Sequence, residues 1–180
     1  MGIVMKRAIF AVVFWLAAAG TAAAADGSLA GLIQAGNRDA ALRMIAAGAD
    51  VNAAQGDGTT PLHWAVYKID ADLARALLER GAKPDVINSY GSSPLTEAVK
   101  VANARLVGML LDAGSNVEVP NQEGQTALML AARAGSLDVA ELLVRHGANV
   151  NARETWRGQT ALMWAAAAGS AELTRFLIDH

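Results

Sequence analysis

Apolar residues recur at helical spacing in the middle of the chain. Leu62, Ala65 and Val66 stand at i, i+3 and i+4, which places them on one helical face. Leu73, Leu77 and Leu78 draw the same kind of stripe and predict a second helix. Thr60 supplies a capping hydroxyl for the first helix, and Pro61 suits its first turn, where a missing N–H costs nothing. Gly81 ends the second helix by accepting a left-handed backbone. Asp57-Gly58 marks a tight turn ahead of the pair. One unit is therefore helix, turn, helix, hairpin. Its apolar faces cannot be buried alone, so neighbouring units must stack.

The unit repeats. Gly48-Ala49, Gly81-Ala82, Gly114-Ser115 and Gly147-Ala148 recur every 33 residues. Thr60-Pro61, Ser93-Pro94, Thr126-Ala127 and Thr160-Ala161 follow at 33, 33 and 34, so one extra residue lies between Asn151 and Gly158. Five units result, at about 26–55, 56–88, 89–121, 122–154 and 155–180. The first is degenerate, with helices expected over 28–35 and 38–47, and reads as an N-terminal cap. The fifth stops at His180, where the next Gly-Ala falls due. With Leu173, Phe176 and Leu177 in its second helix, either that helix caps itself or a longer array continues and carries the activity downstream.

Composition agrees with closely packed helices: 53% of residues are hydrophobic, yet only 5% are aromatic. Alanine is abundant and has the best helix propensity. Residues 1–25 follow the order of a secretory signal peptide. Lys6 and Arg7 precede an apolar run over 8–19, and small residues end in Ala23-Ala24-Ala25 before Asp26. Cleavage is expected after Ala25, with an uncleaved membrane anchor as the alternative. The Ala-rich leader points to a bacterial periplasm or to secretion. Without Lys6 and Arg7 the chain has 13 basic and 17 acidic residues, a net charge of −4. No basic block is present, which disfavours nucleic acid. The absence of Cys removes disulfides, Cys-ligated zinc and Cys nucleophiles.

The clearest unit reads Asp57-Gly58-Thr59-Thr60-Pro61-Leu62-His63-Trp64-Ala65, then Leu77-Leu78-Glu79-Arg80-Gly81-Ala82. Gly48-Ala49-Asp50-Val51-Asn52 and Gly147-Ala148-Asn149-Val150-Asn151 repeat its ending. These segments resemble the ankyrin repeat, and the resemblance covers about 150 residues. It implies an all-α solenoid of stacked helix-turn-helix units with short β-hairpin connections. It also implies a non-catalytic role in protein recognition. His63 takes the place of the family's histidine, which bonds with the Thr and with backbone groups to tighten the junction between hairpin and helix. Thr96, Met129 and Met163 stand at that position elsewhere and are not expected to make the same contacts.

No catalytic, cofactor or metal site emerges. Asp70 and Asp72, like Asp138 and Glu141, lie at helix starts, where carboxylates favour the helix dipole. Ser92 and Ser93 belong to a hairpin and its cap, and no Gly-rich phosphate loop follows a strand. The three histidines lack metal-ligand spacing.

The family's concave face, lined by hairpin tips and first helices, is where a partner is expected. In the hairpins it maps onto Asp57, Tyr90, Glu123, Gln125, Trp156, Arg157 and Gln159. At the ends of the first helices it maps onto Tyr67, Lys68, Lys100 and Arg133. Tyr, Trp and Arg are enriched at interfaces, and four basic residues on one face suit an acidic partner surface. Trp64 and Trp164 share one position, with Leu130 and Glu97 in the units between. The tryptophans are expected to pack between repeats. Glu97 needs a partner, for which Lys100 is the candidate.

Overall fold

A computed structural model of the protein describes residues 27–180. The leader and its cleavage site lie outside the described residues. Ten helices follow as five pairs: α1 (Leu29–Gln34) and α2 (Arg38–Ala46), α3 (Pro61–Tyr67) and α4 (Ala71–Glu79), α5 (Pro94–Lys100) and α6 (Ala104–Asp112), α7 (Ala127–Ala134) and α8 (Leu137–Arg145), and α9 (Ala161–Ala167) and α10 (Ala171–Asp179). The first pair is slightly shorter than its apolar pattern predicts. Ala35 and Ala47 are helix caps rather than helical residues.

The helix starts follow the chemistry read from the sequence. Thr60, Ser93, Thr126 and Thr160 each accept a hydrogen bond from the backbone N–H three residues on. Among the second helices, Asp70 and Asn103 do the same for Leu73 and Leu106.

First helices stack on first helices and second helices on second helices from one end to the other. The packing is columnar. Ala65, Ala98, Ala131 and Ala165 occupy one position of successive units, and all are fully buried. A methyl side chain there allows the first helices to approach closely. Leu77, Leu110, Leu143 and Leu177 form a second buried column, and Leu73, Leu106, Val139 and Leu173 a third. Each buried Leu contributes ~1.5–3 kcal/mol relative to an exposed one.

The connections turn like hairpins, but no strand forms among the described residues. One backbone bond closes each tip: Gln55 N–H to Thr59 O, Asn88 N–H to Ser92 O, Asn121 N–H to Gln125 O, and Glu154 N–H to Gln159 O, all at 2.9–3.1 Å. The bonded residues are four apart in the first three and five apart in the last. The single-residue slip in the repeat is thus absorbed in one turn, and the helices beyond it keep register.

A second line of bonds braces the outer turns. Asn52 accepts from Lys83 N–H (2.8 Å), Asp85 from Asn116 N–H (3.0 Å) and Glu118 from Asn149 N–H (2.9 Å). One position of each of the first three units thereby holds the backbone of the next.

Two helix ends carry strain. Ile69 and Ala102 have φ of 56° and 50°, where Gly36, Gly135 and Gly169 stand in the other units. A left-handed backbone crowds Cβ against a carbonyl oxygen, most of all in a β-branched residue. Ile69 is 53% exposed, so its side chain recovers little through packing. Ile69→Gly is therefore expected to raise stability by ~1 kcal/mol, read as a higher urea midpoint. A lower midpoint would contradict the assignment of strain.

Candidate protein-binding face

The junctions beneath the face are held by buried polar groups. Thr60 N–H donates to His63 Nδ1 at 3.2 Å, so the ring proton sits on Nε2, which donates to the Ser92 carbonyl of the next unit at 2.9 Å. One imidazole thereby closes a helix cap and ties two units together. Burial lowers its pKa below the ordinary histidine value, while the bond to Ser92 opposes the shift. Thr96 does more than its sequence suggests. Its hydroxyl accepts from Ser93 N–H at 2.8 Å and completes the same kind of capping box, but it makes no link to the next unit.

Along the face, the residues singled out from the sequence divide into two sets. Some serve the fold. Asp57 accepts from Thr59 N–H at 2.9 Å, and Gln125 accepts from the Asn121 side chain at 3.2 Å. Gln159 is half-buried, with its N–H held by Glu154. Lys100 lies 3.1 Å from Glu97 and 3.2 Å from the Ser92 hydroxyl, which itself donates to Glu97. The carboxylate at a position otherwise apolar is thus satisfied locally.

The other set faces solvent. Tyr67 is exposed and meets the Trp64 ring edge-on, with centroids 5.7 Å apart. Lys68 caps α3 and is exposed. Tyr90 is 65% exposed at its hairpin tip, and Glu123 is exposed at the next. Trp156 is 78% exposed, with the Arg157 guanidinium 4.2 Å from its ring centre. Arg133 is exposed in the last turn of α7, with its guanidinium 5.5 Å from the Trp164 ring centre. Tyr67 and Lys68 belong to the second unit and Trp156 and Arg157 to the fifth, so the stack does not gather them into one cluster.

Two groups went unread in the sequence. Glu154 is only 4% exposed, and its carboxylate accepts from the N–H groups of Trp156 (2.5 Å), Arg157 (2.8 Å) and Gln159 (2.9 Å). The bond from Gln159 leads in holding its pKa below the usual carboxylate range, against the cost of burial. The repeat register carried the signal, because Glu154 aligns with Asn88 and Asn121, whose side chains hold their own hairpins. The second is the indole N–H of Trp164, a ring expected only to pack between repeats, which is buried without a hydrogen-bond partner among the described residues.

A family model for ankyrin repeats, in three copies, matches residues 29–121 and 95–180. The chain belongs to the ankyrin-repeat family. No curated protein matches it. Ankyrin repeats act as protein–protein interaction modules, generally without catalytic activity. In this ankyrin array, no group of three or more His, Asp or Glu side chains among the described residues is placed to hold a metal ion. No helix among them is long and apolar enough to cross a membrane.

The state of His63 leads to a pH dependence. A depressed folded-state pKa means that the unfolded chain takes up a proton first as pH falls. The contribution is present in full above ~6.5 and is lost as pH drops below that value toward the folded-state pKa. Urea midpoints of the native protein are expected to fall between about pH 7.5 and about pH 5.5, and to fall less in His63→Thr. Equal losses in both proteins would remove His63 as the cause.

Proposed function

We propose that this ankyrin protein is a non-catalytic binding module, exported to a bacterial periplasm or beyond, that takes a protein partner on its hairpin and first-helix face. The observation that carries this reading is the exposure of large aromatic and basic side chains there, above all Trp156 with Arg157 stacked on it. A large flat ring left in water is costly, and covering it releases that cost on binding. Stacking also limits the freedom of Arg157 in advance, so less entropy is lost when a partner engages it.

Charge supports an acidic partner surface. Among the described residues, Lys68, Arg133 and Arg157 have no carboxylate within ion-pair distance, whereas Arg38 and Arg105 on the second helices pair with Asp70 and Asp72. Those three cations on the face are thus without a carboxylate partner among the described residues, whereas Lys100 beside them pairs with Glu97. Export is proposed from the leader over 1–25, with membrane anchoring as the alternative.

Photo-crosslinkers placed singly at Tyr67, Tyr90 and Trp156 in cells are expected to trap a partner band that crosslinkers at Arg75 and Glu141 do not. Binding of the captured partner should weaken by at least about thirtyfold in a Tyr67→Ala, Trp156→Ala, Arg157→Ala variant. Adducts formed only from Arg75 and Glu141 would overturn the face. Export has its own measurement. Intact mass of the periplasmic protein should correspond to a chain beginning at Asp26, and an intact leader in the membrane fraction would favour the anchor.

A further inference from the structure

Trp64 and Trp164 occupy one position of the repeat in opposite circumstances. The Trp64 N–H donates to Gln55 at 2.8 Å, and Gln55 in turn donates to Gln34 at 2.9 Å. That junction is neutral and closed. At Trp164 each element of it has changed. Glu154 aligns with Gln55, but its carboxylate is drawn into the hairpin by three backbone N–H groups. Arg133 aligns with Gln34 and places a cation over the ring. Ala167, small and exposed, aligns with Tyr67. What remains among the described residues is an orphaned indole donor, a guanidinium over its ring with no carboxylate partner, and alanine where an aromatic ring would stand.

Both groups are donors, and both lack an acceptor. Leaving a buried donor unmade costs more than an exposed cation–π stack gains. A ligand that displaces the stack and accepts from both groups therefore gains on balance. An oxyanion has the required acceptors, and guanidinium matches the planar fork of a carboxylate.

We infer that Arg133 and Trp164 form an anchor for an Asp or Glu side chain of the protein partner, one oxygen accepting from the guanidinium and the other from the indole N–H. The assignment rests on the concave-face reading and sharpens it. It places the charge-selective contact at the junction of the fourth and fifth units rather than along the whole face. Trp156 and Arg157, in the hairpin that leads into α9, would then supply contact area beside it.

The test uses the full chain labelled with ¹⁵N, its indole resonances assigned by single Trp→Phe substitutions. The probe is a tetraglutamate peptide blocked at both ends, with the matching tetraglutamine peptide as control. The Trp164 indole resonance is expected to move downfield saturably with the Glu peptide and not with the Gln peptide, while that of Trp64 stays in place. Arg133→Gln and Trp164→Phe should each weaken binding by at least about tenfold without loss of helical circular dichroism. The anchor is overturned by an unmoved Trp164 resonance at millimolar peptide, by equal response to both peptides, or by wild-type affinity in Arg133→Gln. A shift confined to Trp156 would also overturn it while leaving the concave face standing. Inorganic phosphate run alongside separates a carboxylate anchor from a general anion site, since an equal Trp164 shift with phosphate would overturn the assignment to carboxylate.

Discussion

The inability of one helix pair to bury its own apolar stripe governs this molecule. A pair of helices under ten residues each has two apolar faces and no interior. Burial comes only from the next pair, and the fit depends on small residues where first helices meet. The column of Ala65, Ala98, Ala131 and Ala165 supplies that fit. A larger side chain at any of them would push two units apart and cost contacts along the whole junction. Because stacking fixes the register, every hairpin and every first-helix end comes to lie in the same row. The candidate face is a by-product of core packing.

Polar contacts then select which stack forms rather than supply most of its stability. The bonds from Asn52, Asp85 and Glu118 to the following unit recur with the period of the core. Each is exposed and adds little alone, but together they favour this register over a slip of one residue. The exposed ion pairs of Arg38 and Arg105 with Asp70 and Asp72 are of another kind. Solvent screens them, and they rank well below the buried leucine columns.

Repetition also allows specialisation. A repeat array can hold its fold through a few columns and vary every other position independently. Glu97, Leu130 and the two tryptophans share one position and do different things. Glu97 joins Lys100 and Ser92, Leu130 is buried, Trp64 closes a neutral network, and Trp164 keeps an unmade bond. Recognition accordingly resides in what differs between units, while the fold resides in what they share.

The helices, most of their caps and their order are legible along the chain alone. Those features depend on local chemistry that recurs four times, such as the capping hydroxyl of Thr60 or Gly81 after Leu78. Averaging over copies makes a weak local signal strong. It also located the hairpin tips and first-helix ends that make up the candidate face, because position within a unit sets position on the stack. Which of those residues are available emerges only once the units are stacked. Asp57, Gln125 and Lys100 prove to be engaged in turns or ion pairs, whereas Trp156 and Arg133 are not. The reason is geometric. A side chain's partners lie about a unit away in sequence or across a turn, and the stacking of units decides which of them it meets. Glu154 bonds to the backbone of its own hairpin, as Asn88 and Asn121 do in theirs, and the Trp164 N–H is left unmet among the described residues. The repeat register announces the first of these contacts, since Glu154 stands where Asn88 and Asn121 do, but not the unmet indole N–H, which depends on how neighbouring units meet.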